Sequence, residues 1–164
     1  MTVGTSSSGA RVVLREPVEG EPPVEVDDDP WSDWGERLPL EETAGVVHRL
    51  VVEVDGVPGG VVSWHRTHYG PNAGSLAWNV GIALATSVRG RGVGSLAQRL
   101  LARHLFDTTP IDRVEASTDV TNVAERRALE RAGFTFEGVL RGAQARTDGR
   151  HDLAAYAVLR TDPL

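Results

Sequence analysis

The 164-residue sequence has no cysteine. That excludes a disulfide, a thiol nucleophile and every cysteine-ligated metal site at once. No apolar run approaches the roughly 18–20 residues that a membrane-crossing helix needs, so a membrane role is not expected. The first ten residues, Met1 to Ala10, are small and polar and lack the basic-then-apolar order of a secretory signal. They read as a disordered tail, residues 1–10, followed by a single domain over residues 11–164 with a cytoplasmic address. The five histidines (His48, His65, His68, His104, His151) show no spacing such as H-E-x-x-H, so no metal is expected. A broad basic face is also missing, which argues against a nucleic-acid partner.

The net charge is −6. Between Glu16 and Glu42 eleven acids face one base, Arg37, so this stretch carries −10 and the rest of the chain +4. A basic remainder suits an anionic cofactor, and an acidic flap suits a cationic amine. A solvated acidic surface explains the same numbers.

Hydrophobic periodicity divides the chain further. Arg11–Arg15 reads as a strand, and residues 16–42 as loop with one or two short helical pieces. Strands follow at His48–Val54, Gly60–His65 and Leu76–Leu84, the first pair joined by the hairpin signal Asp55-Gly56. From Ser95 to Phe106 the apolar residues fall on one helix face. A strand at Arg113–Thr118 and a second helix at Val123–Ala132 come next. That helix is opened by the capping box Asn122/Glu125 and stopped by Gly133. Two strands near Phe134–Arg141 and Leu153–Arg160 close a mixed α/β sheet.

The chemistry centres on Arg89-Gly90-Arg91-Gly92-Val93-Gly94, between a strand and a helix. Alternate glycines let main-chain N–H groups turn toward a ligand, and the helix start adds unpaired N–H groups and a positive dipole end. Arg89 and Arg91 supply charge-assisted donors for phosphate. A Walker-type loop needs Gly-Lys-Ser/Thr, which is absent. The dinucleotide fingerprint G-x-G-x-x-G fails at Ser95. The acetyltransferase pattern [QR]-x-x-G-x-[GA] is met by Arg89, Gly92 and Gly94. A plain glycine turn without a ligand is the remaining reading.

With that loop, Trp78-Asn79-Val80-Gly81-Ile82-Ala83-Leu84 before it, Asn122 to Phe134 after it, and the tail Glu137–Arg141 with Asp152–Tyr156, the chain resembles the GNAT N-acetyltransferases. It is similar in particular to the Rim-type and actinobacterial members, over roughly residues 61–164. The resemblance implies a central, mostly antiparallel sheet with a splayed parallel strand pair, flanked by helices. It implies acetyl-CoA in the splay, with pantetheine along Ile82, Ala83 and Leu84 and the pyrophosphate on Arg89, Gly90, Arg91, Gly92, Val93, Gly94 and Ser95. It also places Asn122 and Arg127 beside the cofactor. The acetyl group passes directly to a primary amine, either a protein N-terminus or a small molecule, with no enzyme nucleophile. Family members are often dimers, so a homodimer is possible.

The catalytic groups depart from the family pattern. Leu129 occupies the position of the usual thiolate-protonating tyrosine, which leaves water or another group such as Tyr156. Ser117 occupies the position of the usual glutamate base. Strand alternation puts Glu115 and Asp119 on the same face as Ser117, so Glu115 is a candidate base, and Asn79 could position the amine. Trp31, Trp34 and His65 are candidate substrate contacts, though the tryptophans serve equally as core. Two functional readings stand: an acetyl-CoA-dependent N-acetyltransferase, or a non-catalytic acyl-CoA-binding domain.

Overall fold

In the computed structural model the described residues are 2–26, 30–31 and 46–164. Among these residues eight strands run β1 (Thr2–Thr5), β2 (Arg11–Arg15), β3 (His48–Val54), β4 (Val57–His68), β5 (Leu76–Leu84), β6 (Arg113–Asp119), β7 (Thr135–Arg146) and β8 (Gly149–Leu159). The described α-helices, α1 (Val93–Thr108) and α2 (Val123–Ala132), follow β5 and β6. The strands form one sheet in the order β1-β2-β3-β4-β5-β6-β8-β7. Among its pairings only β5–β6 is parallel. This is the mixed α/β architecture expected from the sequence.

The terminal tail is a correction. Residues 2–5, expected to be disordered, pair antiparallel with β2, Thr2 opposite Leu14 through Thr5 opposite Arg11. The reason is tertiary: Gly4 lies against Leu96 and Leu100 of α1, a contact that a four-residue polar strand cannot advertise. The hairpin turn at Asp55-Gly56 forms with φ of 53° and 86°, the doubly left-handed geometry that suits a two-residue strand connection.

One sheet face is apolar. Val62, Trp64, Trp78, Val80 and Val114 join Val93, Ala97, Leu101 and Leu105 of α1 in the core. Burying that stripe holds α1 across the sheet, which fixes where the helix begins. The helix α2 is capped at both ends: Asn122 Oδ1 accepts from Glu125 N at 3.1 Å, and Gly133 closes it at φ 102°. No described helix is long and apolar enough to cross a membrane.

The functional feature of the sheet is a fork. β4 holds β5 through nine residue pairs and β8 holds β6 through seven. Between β5 and β6 only Trp78↔Val114 and Asn79↔Glu115 pair. Beyond those two rungs the strands part, and the inner main-chain edges of residues 80–84 and 116–119 have no strand partner. Main-chain groups in that state call for a hydrogen-bonding ligand or water.

Candidate functional site

The fork opens into a cavity of about 560 Å³. One wall is β5 from Val80 to Leu84, and the facing wall is β6 from Ala116 to Asp119. The glycine loop and first turn of α1 close one end, and α2 closes the side through Asn122, Ala124, Ala128 and its arginines.

The end formed by α1 is built for an anion. Gly92 is the N-cap at φ 75°, no side chain caps the helix, and no acid stands in its first turn. The opening N–H groups of α1 therefore have no intrahelical or side-chain acceptor. By contrast α2 spends Asn122 Oδ1 on its own first turn, leaving the Asn122 Nδ2 as a donor. Each glycine of the loop has a distinct cause. A methyl at Gly92 would lie 2.2 Å from Ser7 Oγ, and Gly90 needs only its φ of 71°. Gly94 is different: it sits in helical conformation, and a methyl there would meet only Leu84 Cδ1 at 3.6 Å and Ala128 Cβ at 4.0 Å. Packing does not demand glycine at this position, and helix propensity opposes it by about 1 kcal/mol. A ligand approaching the main chain supplies the missing reason.

Twelve of the expected site residues meet at this cavity. Ile82, Ala83, Leu84, Arg89, Gly90 and Gly92 line it, as do Gly94, Ser95, Ser117, Asn122, Arg127 and Trp31. Arg89 Nε donates to Leu84 O at 2.8 Å, which ties the loop to the end of β5.

The others fall elsewhere. Arg91, expected on the phosphates, is drawn away to Asp55 Oδ2 at 3.3 Å in the β3–β4 turn. The Val93 side chain is 1% exposed in the core, so this residue offers only its main-chain N–H. His65, Asn79 and Glu115 stand opposite one another in register, a row across the sheet at the closed base of the fork rather than on the cavity wall. Trp34 lies outside the described residues. Tyr156, weighed as a proton donor, is fully buried with its hydroxyl between Arg126 Nε (3.2 Å) and Glu130 Oε1 (3.1 Å), and it does not line the cavity.

Glu115, the candidate base, is 6% exposed and already engaged. Its Oε2 accepts from Tyr69 Oη at 2.6 Å and Arg113 Nε at 3.1 Å, and its Oε1 from Asn79 Nδ2 at 3.5 Å. The bond to Glu115, with burial behind it, pushes the Tyr69 phenol up from its ordinary value, so this tyrosine is a poor acid. Ser117, two residues along the same face, lines the cavity and is exposed.

Sequence reasoning missed the network at the far end of β6. Asp119 is 3% exposed, and three hydrogen bonds and one ion pair hold its carboxylate. Its Oδ1 takes Thr121 N (2.8 Å) and Thr121 Oγ1 (2.6 Å), and its Oδ2 takes Arg146 Nη1 (3.0 Å) and His151 Nδ1 (2.9 Å). Trp31 Nε1 donates to Thr121 Oγ1 at 3.2 Å, and His151 Nε2 reaches Asp148 Oδ1 at 2.7 Å. Burial alone raises the Asp119 carboxyl; Thr121, His151 and the Arg146 charge together overrule it and hold it at about 2. The bond to Asp148, then that to Asp119, raises His151 above its ordinary value. The partners come from segments up to 90 residues apart, so only the alternation of Asp119 with Ser117 was visible beforehand.

Among the described residues no group of three or more His, Asp or Glu could hold a metal ion. The donor set fits a ligand with an anionic diphosphate and an amide-bearing arm: uncapped helix amides and arginines at one end, open strand edges along the middle.

Residues 14–135 match the acetyltransferase (GNAT) domain family. Solved structures similar to this chain include the microcin C7 self-immunity acetyltransferase MccE in complex with acetyl-CoA and AMP, at 25% identity and a TM-score of 0.61, covering 69% of this chain and 61% of that one. A Salmonella typhimurium acetyltransferase that modifies the N-terminal serine of ribosomal protein L7/L12 is also 25% identical, with a TM-score of 0.61 and coverage of 70% and 64%. Mycobacterium smegmatis RimJ shares the fold at 24% identity and a TM-score of 0.62, covering 70% of this chain and 53% of its own. The chain thus matches less than two thirds of the length of each of these relatives.

Proposed function

The chain belongs to the acetyltransferase (GNAT) domain family, and from that premise we propose that it transfers the acetyl group of acetyl-CoA directly to the nitrogen of a primary amine. The observation that carries this reading is the β5–β6 fork opening onto the uncapped N-terminus of α1. Bound there, acetyl-CoA supplies an acyl group already activated as a thioester.

The residues divide the work. Main-chain N–H groups from Gly92 to Ser95, with Arg89, hold the diphosphate. The open edge of β5 from Val80 to Leu84 holds the amide-bearing arm in extended register, and Asn122 Nδ2 adds a donor from the start of α2. Ser117, lining the cavity nearest the closed base, would face the thioester end of a bound acetyl-CoA.

The incoming amine must be neutral to attack, so its proton needs a route out. Asp119 does not provide one, because Thr121, His151 and the Arg146 charge hold its carboxyl at about 2, too weak a base to take an ammonium proton. We assign the route to Ser117 Oγ, which passes the proton through bridging water to Glu115 Oε1, the carboxylate oxygen held only by the long 3.5 Å contact from Asn79 Nδ2. Glu115 stands about 7 Å further down the same strand face. Asn79, holding Glu115, is a positioning residue in this scheme. Neither tyrosine lines the cavity, so water would supply the proton that a departing thiol needs. Trp31, tied to Thr121, forms the acceptor-side wall. The similarity to an acetyltransferase that modifies a ribosomal-protein N-terminus supports a protein acceptor, and that to a microcin C7 self-immunity acetyltransferase keeps a small-molecule amine in view; a cytoplasmic setting fits either.

Release of free thiol from acetyl-CoA tests the activity against a panel of amines spanning peptides with free N-termini, polyamines and aminoglycosides. The expected result is release that depends on at least one acceptor. Tight cofactor binding with no turnover on any acceptor favours the rival reading, a non-catalytic acyl-CoA-binding domain.

A further inference from the structure

Two arginines on α2 have no use in the scheme so far. Arg127 and Arg131 both line the cavity and both are exposed. Neither forms an ion pair with a described residue, whereas Arg15, Arg113, Arg146 and Arg160 each hold a carboxylate. They stand four residues apart on one helix face, where like charges repel and weaken the helix. The nearest acid in sequence, Glu130, is turned the other way and accepts from the Tyr156 hydroxyl at 3.1 Å.

Their place is set by neighbours. A methyl on Gly94 would come 4.0 Å from Ala128 Cβ, so the first turn of α1 touches α2 at the residue the two arginines flank. Ala124 and Ala128 keep that wall low. Arg99 of α1 straps the end of α2 by donating to the carbonyls of Arg131 and of Ala132, the latter at 3.4 Å. Arg131 thus stands three residues beyond the diphosphate amides, about 4.5 Å along the α2 axis.

We propose that Arg127 and Arg131 form a second anion subsite that takes the 3′-phosphate of coenzyme A, so that the protein discriminates CoA from 3′-dephospho-CoA. The proposal rests on the acetyl-CoA reading above. Coenzyme A carries a diphosphate on the 5′ side of its ribose and a phosphomonoester at the 3′ position of the same ring. An uncapped helix start with two unpaired guanidinium groups one step further along matches that pair of anions. A ligand bearing the diphosphate alone leaves the arginines with nothing to neutralise.

Isothermal titration of CoA and of 3′-dephospho-CoA into the full chain, and into the Arg127→Ala/Arg131→Ala double variant, separates the possibilities. The wild type is expected to bind CoA at least about tenfold more tightly than the dephospho form, the scale of one charge-assisted contact. The double variant should lose that margin on CoA and hold dephospho-CoA within about twofold. Both substitutions are on an exposed helix face, so the melting temperature of the free protein should not fall. Equal wild-type affinity for the two ligands overturns the subsite alone, as does a variant that weakens both ligands equally. A wild type that binds neither ligand overturns the acetyl-CoA reading and the subsite with it. A fall in melting temperature with both affinities unchanged shows that the arginines serve only the helix, and rejects the proposal.

Discussion

Gly92→Val is expected to cost on the order of a hundredfold or more in acetyl-CoA affinity, the equivalent of two charge-assisted amide bonds to phosphate. Two independent effects lead there. The left-handed φ of 75° is hard for any side chain and worst for a β-branched one. The added Cβ also enters the space of Ser7, with Oγ at 2.2 Å and the main-chain N at 3.1 Å. The loop must move, and the amides of α1 move with it. Gly90→Ala is the control, since its Cβ meets nothing within 4 Å and only the φ of 71° is strained. A calorimetric titration should rank Gly92→Val far below Gly90→Ala. In Gly92→Ala, adding Ser7→Gly should recover part of the loss by removing the nearest clashing atom. Equal affinities for Gly90→Ala and Gly92→Val would show that the loop does not hold the ligand.

The largest loss of stability is expected from Asp119→Ala, at about 3 kcal/mol or more. The substitution removes the carboxylate paired with the Arg146 guanidinium, whose side chain is 3% exposed, and the acceptor of both Thr121 donors. For a chain of this length the melting temperature should drop by roughly 10 °C. Asp119→Ala combined with Arg146→Met should recover much of it, because the buried charge is then gone. The same network sets a pH dependence with two edges. Asp119 is held at about 2, below its ordinary 3.8, so its contribution is complete above about pH 4 and is lost as pH falls toward 2. His151 is raised above its ordinary 6.5, so its contribution is complete below that value and fades as pH climbs through the raised one. A melting series from pH 2 to 9 should show both edges, and His151→Gln should flatten the upper one. A wild-type profile level above pH 6.5 would contradict the role given to His151.

How much of this could be read beforehand follows from the range of the interactions. The bounds of β3, β5 and α2 emerged as expected because each carries its signal locally: alternation, a hairpin glycine, a capping box, a C-terminal glycine. β1 did not, because Thr2–Thr5 has no alternating apolar pattern and is ordered only by β2 and α1. The hairpin strands β7 and β8 proved longer than expected, since their outer residues are exposed and polar and leave no hydrophobic trace. The glycine end of the cavity was legible for the same local reason, one loop and one helix start. The pairing of Arg91 could not be foreseen, because its partner, Asp55, sits 36 residues earlier in a different turn. The polar network at the far end of β6 stayed hidden. Asp119, Arg146, His151, Thr121 and Trp31 meet only once the β7–β8 hairpin has folded onto the end of β6.

Gly94→Ala separates ligand binding from folding more cleanly than any other change, because the free protein has room for the methyl and its helix prefers alanine by about 1 kcal/mol. The decisive measurement pairs a thermal melt of the free variant with a calorimetric titration of acetyl-CoA. A melting temperature equal to or above the wild type, with affinity lowered about tenfold or more, is the predicted outcome. Undiminished affinity in that variant would mean that no ligand approaches the main chain at the start of α1, and the acetyl-CoA site would have to lie elsewhere.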